Sequence, residues 1–306
     1  MYDIVTIGWL TIDDIVLQDS TYLKSVLGGG ALYSAVGAFI WNKNVGIKTV
    51  TGAKYIDFAE KAIKDFGFIG CDISTIPGNG LELWLLHESG TIKQQVPKIG
   101  SSTAEQMDLG RSDISGDFIN ASGFHIAPQT PDGSLKNIQQ ISKLTAQSTT
   151  MDILADSYVD AKKYTDLKFL DALSAFLPSI EEVNILWNPP DLFSWLKDTA
   201  KIKNCILGVK LGSKGSILCD PQTSKIYEVP VFPSQALDTT GAGDAYCGGF
   251  LAGLVAKKNV LECAAMATVS ASYVVENSGA LNTIIPTDSE RELRLEYVME
   301  KSVAYG

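Results

Sequence analysis

A chain of 306 residues, 45% hydrophobic and 20% charged, has ample material for a core and the composition of a globular protein. Its formal charge of −10 argues against nucleic acid or an anionic membrane surface as a partner. Five scattered cysteines without Cys-x-x-Cys spacing (Cys71, Cys205, Cys219, Cys247, Cys263) argue against a disulfide framework or a zinc site and suit buried thiols in a reduced, cytoplasmic chain. The N-terminus begins as a strand without the basic segment of a signal peptide, and no apolar run approaches the roughly 18 residues of a membrane span.

Residues 3–7 alternate into a short apolar strand that stops at Gly8, and residues 10–18 form a second extended run. The triplet Gly28-Gly29-Gly30 opens a small-residue, apolar stretch to Trp41, which predicts a buried helix. A strand over 45–52 and a helix over 55–66 follow. This succession predicts a parallel sheet covered on both faces, an α/β fold. The rhythm breaks at 80–98, where extended runs at 81–86 and 91–96 flank Glu88-Ser89-Gly90 in a hairpin pattern. With 10–18 they suit a small antiparallel sheet apart from the main layer, and an edge hairpin of the main sheet has the same composition. After Gly116 the alternation resumes with strands at 123–126, 149–154, 175–177 and 205–210. A hairpin at 216–219 and 225–229, an Ala- and Val-rich helix over 260–277 and a charged amphipathic helix over 288–301 complete the chain. No repeat or linker divides it, so it reads as one domain over 1–306.

The segment Asp238-Thr239-Thr240-Gly241-Ala242-Gly243-Asp244 carries the chemistry. Its small residues run into the apolar stretch from Ala245 to Phe250, so a glycine turn opens a helix. Such a turn points backbone N–H groups outward at the positive end of the helix dipole and cradles phosphate. Asp244 then stands where a carboxylate takes the proton of an attacking hydroxyl. The residues suit phosphoryl transfer to an alcohol, although a plain capped turn uses the same types.

All seven positions resemble the C-terminal signature of the ribokinase-like (PfkB) carbohydrate kinases. The resemblance implies a three-layer α/β/α sandwich with a mostly parallel central sheet and a small β-sheet lid, formed here by about 9–20 and 80–98. It also implies use of ATP and Mg²⁺. Gly28-Gly29 resembles the family's substrate-binding glycine pair, with Tyr33 where the family carries Asn. Asp13, five residues after Gly8, matches its substrate aspartate. Ser179-Ile180-Glu181-Glu182 resembles its Asn-x-x-Glu segment, which implies Glu182 as the residue that organises the metal; the same four residues are also a helix capping box. The segment Lys210-Leu211-Gly212-Ser213-Lys214-Gly215 resembles the strand-to-turn segment bordering the nucleotide, with Lys210 where many members carry Thr; its ammonium suits a phosphate, and a surface lysine before a turn suits the position equally. The Asn277-Ser278-Gly279 segment resembles the one that closes the adenine side. ATP would then lie along the signature turn, Thr239 included, and along Gly212–Gly215.

The implied reaction moves the γ-phosphoryl group to a hydroxyl of a small sugar or sugar-like alcohol, with Gly241, Ala242 and Gly243 supplying the anion hole. A nucleoside or inositol kinase of the same fold, or an inactive nucleotide-binding relative, are the alternatives; the loss of the two Asn residues leaves the acceptor open. Some family members dimerise through the lid. Leu81, Leu83 and Leu85 on one face of a strand suit that homodimer, and equally suit packing on the chain's own body.

Overall fold

The computed structural model describes residues 2–88, 93–110, 112–145, 148–155 and 161–306. In chain order the strands and helices begin with β1 (Ile4–Trp9), β2 (Thr11–Val16), β3 (Tyr22–Gly28), α1 (Gly30–Phe39), β4 (Val45–Gly52), α2 (Ile56–Phe66) and β5 (Gly70–Ile76). There follow β6 (Leu81–His87), β7 (Lys93–Pro97), α3 (Ala104–Leu109), β8 (Gly123–Ile126), α4 (Pro131–Ile141), β9 (Ser148–Met151), β10 (Ala175–Phe176) and α5 (Ile180–Leu186). The chain closes with α6 (Leu192–Lys203), β11 (Ile206–Lys210), β12 (Ser216–Cys219), β13 (Ile226–Val229), α7 (Ala242–Val255), α8 (Val260–Val274), α9 (Asp288–Lys301) and β14 (Val303–Tyr305).

Ten strands form the main sheet in the order β14-β13-β12-β11-β10-β9-β8-β1-β4-β5. From β5 to β11 neighbouring strands run parallel; β12, β13 and β14 add an antiparallel edge. Every residue of β4 is buried, as expected of a parallel strand covered on both faces. One face packs on α4, α5 and α6 through Ile138, Ile141, Val183, Leu196 and Ala200. The other packs on α1, α2, α7 and α8. The result is the three-layer α/β/α sandwich.

Helices α1 and α7 are apolar around nearly their whole circumference because each lies between the sheet and another helix. Their backbones touch. A Cβ on Gly248 would stand 1.8 Å from the Ser34 carbonyl oxygen, and one on Gly37 would stand 2.1 Å from that of Ala245. This approach brings the first turns of the two helices to the same place, which is where the site forms.

A second, four-stranded sheet has the order β3-β2-β6-β7. It differs from the expected small sheet in two ways. β3 belongs to it, beyond the 9–20 and 80–98 segments. The sheet is also mixed: β2 and β6 are parallel, while the β2–β3 and β6–β7 pairs are antiparallel. The direction follows from connectivity, since β2 continues from β1 and β6 comes after β5, two strands that share a direction in the main sheet. The β6–β7 pairing is that of the expected hairpin, while its turn at 89–92 lies outside the described residues. Leu81, Leu83 and Leu85 pack with Trp9, Val50 and Met107. The chain's own body covers these leucines, so they offer no apolar face to a second copy.

Candidate active site

Ligands of open parallel sheets bind beyond the carboxyl ends of the strands. Lys210 ends β11, Asp152 follows β9, and the Ser179–Glu182 turn follows β10. Gly241, at φ 74°, caps α7 without any side-chain hydrogen bond to the first-turn amides. A Cβ at Gly241 would stand 2.1 Å from the Tyr33 ring, so only glycine fits the turn. Asp238 braces it from behind, accepting from the Thr240 amide at 2.8 Å and from the Ser278 hydroxyl at 2.6 Å. Thr239 is exposed and contributes its carbonyl to the Ala242 amide, 3.3 Å away.

Asp244 lies half-buried in the first turn of α7, where the helix dipole favours a negative charge. A Cβ on Gly30 would come within 2.8 Å of its Oδ1, so the same carboxylate also stands at the start of α1. Gly29, at φ 102°, is the cap of that helix. Its neighbour Gly28 lies against Asp13, whose Oδ2 a Cβ there would meet at 2.1 Å. Asp13 is buried and accepts from the Thr11 hydroxyl at 3.0 Å. Asp14 points to the opposite face of the strand, as alternation requires. Burial opposes its charge, yet the Ser25 amide, Lys98 and Tyr22 hold it below the usual carboxylate range.

Tyr33 is only 3% exposed, with its ring on Gly241. Burial first, then the carboxylates of Asp13, Asp238 and Asp244, push its hydroxyl well above the ordinary tyrosine range. The residue thus lies among Asp13, Asp238 and Asp244, and its ring is covered by the Gly241 turn.

Lys210 does not stand at the surface. Its ammonium pairs with buried Asp152 and lies 3.8 Å from the Cys247 Sγ and 3.3 Å from where a Cβ on Gly243 would be. Burial works against its charge, but Asp152 and Glu182 hold it above the ordinary lysine range. Burial, reinforced by Asp152, pushes the partly exposed Glu182 up to about 8 against the pull of Lys210. Glu182 also forms the capping box with Ser179, accepting from its amide at 2.7 Å. His125 stands near this group. Burial and the Lys210 charge push it down to about 3, so it is a neutral imidazole beside Thr150, 2.9 Å away.

Gly212 and Gly215, both at positive φ, bound a tight turn after β11. Asn277 follows Glu276, which with Gln235, Ala236 and Leu237 lines an open cleft of about 490 Å³ beside Asp238. Gly279 lies beneath the small sheet, where a Cβ would meet Val26 of β3 at 2.7 Å. Asp152 and His87 are additions that motif spacing does not single out. Asp152 carried one signal, an acid at the C-terminal end of a strand. His87 carried none; it ends β6, and its Nε2 stands 3.2 Å from Asp238 Oδ1.

The model of the pfkB family carbohydrate kinases matches residues 102–288. The chain belongs to this family. It is 27% identical over 290 residues to a cytidine kinase of Thermococcus kodakarensis, covering 91% of this chain and 98% of that protein. A nucleoside kinase of Methanocaldococcus jannaschii shares its fold with a TM-score of 0.71 at 20% identity, over 96% of this chain and 98% of that one. So does a fructokinase variant of Vibrio cholerae bound to fructose, ADP and potassium, with a TM-score of 0.74 at 18% identity and coverage of 96% and 98%. The family members are kinases, so this chain is placed among sugar and nucleoside kinases with a small-molecule acceptor. Among the described residues no helix is long and apolar enough to cross a membrane.

Proposed function

We propose that the chain transfers the γ-phosphoryl group of ATP to a hydroxyl of a small sugar or sugar-like alcohol, with Asp244 as general base. One observation carries this reading: Asp244 stands where the first turns of α1 and α7 meet, so one carboxylate borders both the glycine pair and the anion turn. The acceptor would lie between Asp13, Gly28, Gly29 and the Tyr33 side of the turn, under the small sheet acting as a lid. The amides of Gly241, Ala242 and Gly243 would face the charge that develops on the transferring group. The nucleotide would extend past Thr239, Gly212, Gly215 and Lys210 toward the cleft before Asn277, with Gly279 bordering the lid side instead. Lid closure would exclude water and limit ATP hydrolysis.

The donor set fits Mg²⁺ held mainly through phosphate and water. Glu182 supplies a partly exposed carboxylate, and among the described residues no group of three or more His, Cys, Asp or Glu side chains forms a cage. Bound through Glu182, the ion would neutralise charge on the phosphates. Asp244 would take the acceptor proton, and the first-turn amides would bind the phosphoryl oxygens.

A nucleoside acceptor is the second reading. It is favoured by the cytidine kinase match over 91% of the chain. A coupled ATP-consumption assay with sugars, polyols and nucleosides in the presence of Mg²⁺ decides between them. The acceptor found there then tests the base. Asp244→Ala keeps the wild-type circular dichroism and loses about 10³-fold in kcat. Near-normal turnover by that variant would remove Asp244 from the mechanism.

A further inference from the structure

A lysine ammonium at the start of a helix is electrostatically misplaced, because the helix dipole repels it there. Lys210 nevertheless lies largely buried, its side chain 13% exposed, against Gly243 in the first turn of α7, at the carboxyl ends of β9 and β11. Asp152 offsets its charge, and Asp152 is itself 3% exposed, so neither member gains much from water. An apolar pair of similar volume would pack there at no electrostatic cost. An ammonium has three N–H donors. Asp152 takes one, and the Cys247 sulfur at 3.8 Å is a weak second acceptor. The ammonium retains donor capacity beside the amides that face an anion.

We infer that Asp152 is a positioning residue, holding the Lys210 ammonium against the Gly243 side of the anion turn, where the lysine takes a phosphate oxygen of the nucleotide. The inference rests on the kinase reading and deepens it. Lys210 would stay paired with Asp152 when the nucleotide binds, adding the phosphate oxygen as a further acceptor. The lysine's charge offsets the phosphate, and the aspartate fixes where that charge sits. Asp152 touches neither reactant and acts only through Lys210.

Calorimetric titration of the full chain with ATP and with AMP, at fixed Mg²⁺, tests this. Lys210→Met should weaken ATP binding by about 30-fold while changing AMP affinity less than about twofold, since a charged hydrogen bond to the outer phosphates is lost. Lys210→Arg should recover part of the difference. Asp152→Asn should weaken ATP binding by about 10-fold. It also leaves a buried cation unpaired and lowers stability, so the double variant Asp152→Asn/Lys210→Met is the control: both charges are gone and Tm recovers. Its ATP affinity should equal that of Lys210→Met alone, because the aspartate has nothing left to position. Multiplied losses in the double variant, or equal losses of ATP and AMP in Lys210→Met, would overturn the inference. Wild-type protein that binds neither nucleotide would overturn the kinase reading instead.

Discussion

Glu182 meets two demands with one side chain. Its carboxylate closes the capping box that starts α5, and it stands within the electrostatic reach of Asp152 and Lys210. Its folded-state pKa of about 8 exceeds the ordinary value of 4.5, so between those values the folded chain holds more protons than the unfolded one. Stability contributed by this group is therefore present at low pH and declines as pH rises through that window, by at most about 1.4 kcal/mol per unit. Glu182→Gln removes the titration. Without ligand, the wild-type Tm should fall relative to the variant by about 2–4 °C or more between pH 5 and pH 9. Parallel Tm profiles would show that the proton is not held there. At the same scale, Tyr33 is legible as a departure from the family pattern, but its covered ring is not. Only the approach of Gly241 shows that the tyrosine fills space beneath the anion turn.

At the scale of elements, the pairing of α1 with α7 positions the Gly28–Gly30 turn against the Gly241–Asp244 turn. It depends on close backbone contact at Gly37 and Gly248, where a methyl group has no room. Gly248→Ala should therefore destabilise the fold by about 1–3 kcal/mol, in spite of alanine's better helix propensity, as measured by urea denaturation. A change within about 0.5 kcal/mol would mean that the helices separate at little cost. Helices α1, α2, α7, α8 and α9 and the buried parallel strands were legible because each carries its own periodicity, glycine turn or apolar run, whereas α3, α4 and α6 were not given ranges. β3, β5 and β14 were not. β5 is a polar edge strand of intermediate exposure, and β14 is exposed throughout, so pairing with β4 and β13 makes them strands. β3 contains Ser25 at φ 56°, which interrupts the alternation that would mark it.

Across the whole molecule, the small sheet and the anion turn meet at His87 and Asp238. Asp238 also holds the Thr240 amide and the Ser278 hydroxyl, so one carboxylate links the sheet, the turn and the 277–280 segment. If the small sheet acts as the proposed lid, His87→Ala should raise the KM for the acceptor about fivefold to tenfold and shift Tm by less than about 2 °C. An unchanged KM would separate the sheet from acceptor binding.

The α/β rhythm, the glycine turn at 241–243 and its aspartate belong to the sequence itself, because local propensity and short-range spacing specify a glycine turn that opens a helix. The Asp152–Lys210 pair, the His87–Asp238 contact and the covering of Tyr33 were decided by the tertiary structure. Their partners lie 58, 151 and 208 positions apart along the chain. No local periodicity records such a distance; the sheet order and the helix approach create it.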